Sequence, residues 1–263
     1  MRFYGITDIG KSRKENQDGF FLCDDFVNIK YFIIADGMGG VNGGKVASTA
    51  AIESIKAYID ENIYDIELEE EQIKDLIKGA ILNANKFIYQ KAIREEKYKG
   101  MGTTVILAVT YGNRVYIGHI GDSRVYRVRK NIIRQLTKDH SYVQALLEEG
   151  SITKSEAQNH PQKNILLKVV GCEEDIEPDI IIKGFKKDDI LVMCTDGLTN
   201  MVSVKEIYDV VVSGKEDYDE GIKYLQEKYN IPLILLTLGK DGSRVAASPL
   251  PACFRSLLRT VRT

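Results

Sequence analysis

The chain has four cysteines, Cys23, Cys172, Cys194 and Cys253, with no C-x-x-C pair among them. That scarcity excludes a dense disulfide framework, leaves zinc without an obvious thiolate site, and points to a reducing compartment. An excess of either charge is also lacking: 36 Lys and Arg stand against 38 Asp and Glu, a formal net charge of -2. Nucleic acid is therefore not expected as the main partner. No apolar run approaches the ~20 residues that cross a bilayer. Met1-Arg2-Phe3-Tyr4-Gly5 shows no signal-peptide core. No membrane partner and a cytoplasmic location are the expectations. There is no repeat of fixed period and no low-complexity segment. What is present, 44% hydrophobic and 28% charged residues over 263 positions, describes an ordinary globular protein of one large domain or two small ones.

Residues 31–35 read Tyr-Phe-Ile-Ile-Ala, a short aromatic and β-branched run bounded by turn signals, and predict a buried strand. Asp36 and a cluster of glycines follow at once. Ala47, Ala51, Ile55 and Ile59 recur at helical spacing and predict a helix over 45–60. Ile73, Ile77, Ile81, Ala84 and Ile88 predict a second from about Glu70 to Tyr98. The period then changes. Residues 103–111, 114–120, 123–129 and 132–136 read as an antiparallel meander. Residues 139–160 are polar and weakly helical, and predict a mobile flap over a site. Strands are expected again at 165–170, 179–183 and 190–194, and a helix at 204–212. Two strand blocks flanking two long helices predict an α+β fold with two packed sheets.

Four aspartates stand beside glycine at strand ends: Asp18-Gly19, Asp36-Gly37, Gly121-Asp122 and Asp196-Gly197. Each alone is a turn signal. Together they suggest an acidic metal site without His or Cys ligands, the preference of Mg²⁺ or Mn²⁺. Two such ions ~3.5–4 Å apart can activate water and stabilise the leaving oxygen of a phosphoryl group.

The wording of the motifs is more specific than their spacing. Arg13-x-x-Asn16-Gln17-Asp18, Ala35-Asp36-Gly37-Met38-Gly39-Gly40, Gly100-Met101-Gly102-Thr103-Thr104, Gly118-x-x-Gly121-Asp122-Ser123-Arg124 and Cys194-Thr195-Asp196-Gly197-Leu198 occur in that order. Together they resemble the metal-dependent protein phosphatase (PPM) family, the type 2C serine/threonine phosphatases, in compact bacterial form. Thr137-Lys138-Asp139-His140-Ser141 and His160-Pro161 fit the same form. The resemblance covers residues 1 to about 215. It implies a four-layer α-β-β-α sandwich of two antiparallel sheets flanked by helices, with two Mn²⁺ or Mg²⁺ ions and a third in bacterial members. By that resemblance Asp36 bridges two metals, the Gly37 carbonyl binds the first and Asp196 the second. Asp18 would hold a water, and Asp122 with Asp196 a third ion. Arg13 would grip the substrate phosphate with its bidentate fork.

The implied reaction is hydrolysis of phosphoserine or phosphothreonine in proteins by a metal-activated water, without a phosphoenzyme. The implied partners are phosphorylated proteins, a serine/threonine kinase and its targets among them. Met38 stands where many eukaryotic members have a histidine that can act as general acid. His119, His140 and His160 are expected to be structural.

The resemblance weakens after residue 215. The family closes with a metal-ligand Asp before a final apolar strand, whereas this chain aligns Tyr229 there, and Asp241 follows a strand instead of preceding one. Residues 224–245 are closer to a segment of ribokinase-like sugar kinases. The expected organisation is a phosphatase domain over 1–220 and an atypical segment and tail over 221–263, with a gene junction near 215–225 as a hypothesis. Either Asp241 or nothing replaces the family aspartate. The second reading is therefore a catalytically impaired regulatory or phosphoprotein-binding module.

Overall fold

The computed structural model describes residues 2–9, 13–23, 26, 28–40, 43–63, 68–213 and 233–238. Strands β1 (Arg2–Thr7), β2 (Asp18–Cys23) and β3 (Ile29–Met38) lead into helices α1 (Gly43–Asn62) and α2 (Glu70–Arg94). A second run follows with β4 (Gly102–Thr103), β5 (Val105–Tyr111), β6 (Arg114–Ile120), β7 (Arg124–Arg129) and β8 (Ile132–Gln135). Short helices α3 (Tyr142–Glu148) and α4 (Lys154–Gln158) precede β9 (Asp179–Gly184) and β10 (Ile190–Cys194). Helices α5 (Asp196–Thr199) and α6 (Val204–Ser213) and strand β11 (Leu233–Leu238) complete the described elements.

The strands form two antiparallel sheets. One runs β2-β3-β5-β6-β9, with β4 attached to β3, and the other runs β1-β11-β10-β7-β8. Alternation along each strand sends side chains into different layers. Tyr31 and Ile33 face α1 and α2, where Ala47, Ala51, Ile55, Ile73, Ile77 and Ile81 meet them. Phe32 and Ile34, one residue out of phase, face the other sheet and pack with Ile106, Val125, Leu191 and Met193. Ile190, Val192 and Cys194 point the opposite way and join Ile207 and Val211 of α6. Three apolar cores thus separate four layers, the α-β-β-α order. Each fully buried isoleucine contributes roughly 1.5–3 kcal/mol against remaining in water.

Helix α2 opens on a capping box in which the Glu69 amide donates to Gln72 Oε1 at 2.8 Å. It ends at Arg94, and residues 96–98 continue only as a 3-10 turn, so the helix is shorter than the expected span to Tyr98.

Two expectations are corrected. The run from 103 to 136 is not one meander: β5 and β6 pair in the first sheet, β7 and β8 in the second. Alternation reports one buried face per strand and carries no label for which sheet provides it. The chain crosses between sheets at Gly121-Asp122-Ser123, with Gly121 at φ +106°, a conformation L side chains rarely adopt. Residues 165–170 are not a strand either, for their backbone makes only isolated bridges, Leu166 to Ser141 and Val170 to Thr103. The flap is anchored by buried His140 and Ser141 at its root.

Strand β11 lies inside the segment set apart by sequence as atypical, and it pairs with both β1 and β10. Tyr229, Asp241, Cys253, the 215–225 junction and the tail lie outside the described residues. No helix among the described residues is long and apolar enough to cross a membrane.

Candidate metal centre

Asp18 and Asp36 are register partners on β2 and β3, so adjacent strands bring their carboxyl groups into hydrogen-bonding contact. Each is held by main chain and hydroxyls. The Asp18 amide donates to Asn16 Oδ1 at 3.0 Å, and Thr195 Oγ1 donates to Asp18 Oδ2 at 3.0 Å. The Asp36 amide donates to Thr104 Oγ1 at 3.0 Å, while the amide of Thr104 and the hydroxyl of Thr103 both donate to the Asp36 carbonyl at 2.9 Å. Thr104 Oγ1 also lies 2.8 Å from Ser123 Oγ, which links the Asp36 strand to the crossing loop that carries Asp122.

Gly37 follows with its amide on the Gln17 carbonyl at 3.2 Å. A Cβ at Gly37 would collide with the Gly44 carbonyl; glycine lets the first turn of α1 close on the strand. Asp196 opens α5 directly after β10, and Asn200 Nδ2 donates to its Oδ2 at 3.0 Å.

The electrostatics bind these positions into one group. Burial raises the Asp36 carboxyl well above the usual range, and the charges of Asp18, Asp196 and Asp122 raise it further. Burial also raises Asp18, against pulls downward from Asp36, Thr195 and Lys45. Asp122 is pushed up to about 7 by burial, then by Asp196 and Asp139. Positive charge nearby is scarce among the described residues. Lys45 Nζ donates to the Asp18 carbonyl at 3.2 Å. Arg124 is engaged through Nε and Nη2 with both oxygens of Asp139, at 2.6–3.0 Å.

Four carboxylates with this little compensation would repel in a dry cleft, and an all-oxygen donor set suits Mg²⁺ or Mn²⁺. They do not converge on one point. The single group of three His, Cys, Asp or Glu ligand atoms found within 4.8 Å of one another, among the described residues, is His119, His140 and Asp179.

A family described as "Protein phosphatase 2C" matches residues 10–219. The chain belongs to this family. The "Serine/threonine phosphatase stp" of Listeria welshimeri is 40% identical over 207 residues, 79% of this chain and 81% of that one. The solved serine/threonine phosphatase of S. agalactiae is 33% identical with a TM-score of 0.82, covering 90% of this chain and 99% of the other. The catalytic domain of the serine/threonine protein phosphatase PstP, solved in complex with two manganese ions, is 27% identical with a TM-score of 0.73 over 89% of this chain and 95% of that one. This phosphatase 2C chain is thus a protein serine/threonine phosphatase, and the comparisons do not favour the binding-module reading.

Of the residues singled out by sequence, the fold gathers Asp18, Asp36, Gly37, Asp122 and Asp196. Arg13 is exposed on the loop before β2, with no ion pair to a described residue. Thr104, Ser123 and Thr195 hold the carboxylate group together, although sequence assigned them no role. Their only signal was membership in the motifs, because a hydroxyl's partner is set by tertiary approach.

Proposed function

We propose that the phosphatase hydrolyses phosphoserine and phosphothreonine esters of proteins directly by water, without a phosphoenzyme, in the cleft between the two sheets. The observation that carries this reading is the cluster of four carboxylates, none in an ion pair among the described residues, at the ends of β2, β3, β6 and β10. Asp36, the Gly37 carbonyl and Asp196 would hold two divalent cations, with Asp18 beside them and Asp122 with Asp196 for a third. Mn²⁺ or Mg²⁺ so held supplies charge neutralisation and Lewis acidity toward water and the phosphoryl group.

The chain's own residues order the remaining steps. Thr195 donates to Asp18 Oδ2, which fixes the plane of that carboxylate, and the carboxylate so held would orient the attacking water. Water forms a new P–O bond while the bond to the seryl or threonyl oxygen breaks, releasing phosphate and the alcohol. Met38, 39% exposed at the end of β3, offers no proton to the leaving oxygen, so that proton comes from water. Arg13, exposed and unpaired among described residues, is the phosphate-gripping side chain in this reading. Phosphorylated proteins are the substrates, and a serine/threonine kinase the partner that generates them.

The test is release of inorganic phosphate from a phosphothreonine peptide with Mn²⁺, compared with Asp36→Asn. Release that disappears in the variant supports the reading; no release by the unaltered chain at millimolar Mn²⁺ rejects it.

A further inference from the structure

His119, His140 and Asp179 form a second cluster at the same end of the first sheet. His119 and Asp179 are register partners on β6 and β9, and the two imidazoles stack with ring centroids 4.8 Å apart at 29°. Their ligand atoms are close enough to suggest a metal, but hydrogen bonding argues against one. The Gly121 amide donates to His140 Nδ1 at 3.1 Å. A neutral ring that accepts at Nδ1 carries its proton on Nε2 and has no second lone pair for an ion. His140 Nε2 instead lies 3.2 Å from Asp179 Oδ2, out of line for a hydrogen bond, so the carboxylate acts on the ring through its charge.

Three bonds make His140 a junction. Its ring accepts from the Gly121 amide, and its own amide donates to the Gly121 carbonyl at 2.8 Å. Both polar atoms of the residue immediately before Asp122 are thereby held by one side chain and its backbone. The His140 carbonyl in turn accepts from the Leu167 amide at 2.8 Å, next to the Ser141–Leu166 bridge that closes the root of the flap. His119 packs on the ring, fully buried and without a hydrogen-bond partner at either nitrogen. Burial holds it neutral, with its ring pushed down to about 3, so it presses on His140 as an uncharged plate.

We propose that Asp179 and His140 are positioning residues for the carboxylate centre: Asp179 keeps the His140 proton on Nε2, which leaves Nδ1 as the acceptor that fixes Gly121, and so Asp122, relative to the flap. The logic follows that of a carboxylate that sets a histidine tautomer. Its catalytic consequence rests on the metal-dependent phosphatase reading above. A ligand that pulls on the flap would be felt at Asp122 through His140.

Three variants separate positioning from bulk stability. In Asp179→Asn, Lys168, whose Nζ lies 3.4 Å from Asp179 Oδ1, takes the amide oxygen and turns the amide nitrogen toward His140 Nε2. Two donors then meet, the ring proton moves to Nδ1, and the Gly121 amide faces a donor. His140→Gln can still reach Asp179 but leaves Gly121 without an acceptor. His140→Asn places an amide oxygen where Nδ1 was and restores that acceptor. Asp179→Asn and His140→Gln are expected to lower kcat about tenfold and raise the half-saturating Mn²⁺ concentration, with KM for a phosphothreonine peptide nearly unchanged, the usual scale for outer partners of metal ligands. His140→Asn should recover most of the loss.

Nitrogen-15 spectra of the histidine-labelled full chain should show a ring with bare Nδ1 and protonated Nε2, and the opposite tautomer in Asp179→Asn. Equal losses in His140→Asn and His140→Gln would overturn the proposal. So would variants that melt earlier with kcat and Mn²⁺ requirement unchanged, or a His140 ring protonated at Nδ1 in the unaltered chain. The spectra need no turnover, so they judge the clamp even where the phosphatase assay fails.

Discussion

The aspartates at 18, 36 and 122 and the trio of His119, His140 and Asp179 lie at one end of the first sheet, and Asp196 joins the aspartates from the end of β10 in the second. Both clusters hold titratable groups partly or wholly out of water, and they meet that cost in opposite ways. The carboxylates are acceptors without enough donors: Thr195 donates to Asp18 and Asn200 to Asp196, and none of the four has an ion pair among the described residues, so the group calls for cations from outside. The trio meets it by neutrality and one charge instead: Asp179 faces His140, the Gly121 amide bonds its other nitrogen, and His119 stays neutral without a hydrogen-bond partner. One cluster trades stability for a binding site; the other spends no binding capacity and holds geometry.

The largest effect expected from breaking this contrast is in Asp36→Asn. Phosphate release should fall by about a thousandfold or more, since several kcal/mol of transition-state stabilisation pass through the centre. The same variant in excess chelator should melt higher than the unaltered chain, because it removes a buried charge from a repelling group; calorimetry without metal checks this. Gly37→Ala should lower unfolding free energy in urea by about 3 kcal/mol, the scale of forced overpacking, because Gly44 of α1 must move. Thr195→Val, which frees Asp18 Oδ2, should reduce kcat roughly tenfold with little change in the melting temperature.

Acid and base should act on the two clusters with opposite sign. Asp122 and Asp36 are raised in the folded chain, so their contribution to stability is present below pH ~4 and is lost as pH rises, for Asp122 through about 7. Metal-free protein should therefore melt some degrees lower at pH 8 than at pH 6, and added Mn²⁺ should reverse the trend, since cations bind the ionised form. His119 is depressed, so its contribution is present above pH ~6.5 and is lost as pH falls toward about 3. His119→Phe should flatten that acid limb while leaving the melting temperature at neutral pH within a few degrees, the smallest of these effects.

Much of the frame was legible because it depends on local pattern. Tyr31 to Ala35 alternates between two cores, and the stripe from Ala47 to Ile59 matches α1, because burial imposes the strand and helix periods directly. The four aspartates were legible as a set because each ends a strand beside glycine. What escaped was relational. That β6 and β7 belong to different sheets, that residues 165–170 bridge without forming a ladder, and that Thr195 reaches Asp18 across 177 positions all depend on which surfaces meet. The sequence offered the histidines only as an expectation of structural roles, and the contact between His140 and Gly121 is written only in the fold.

The position of β11 has a consequence for how the protein is made. Among the described residues the first sheet has all its strands by Gly184, whereas β1 pairs only with β11, far along the chain. During synthesis the first sheet and its helices can close early, while β1 and β10 each present an unpaired edge until Leu233–Leu238 emerges between them. A product stopped before Leu233 would keep all four central aspartates and still carry two open edges, the form in which this fold is most exposed to aggregation.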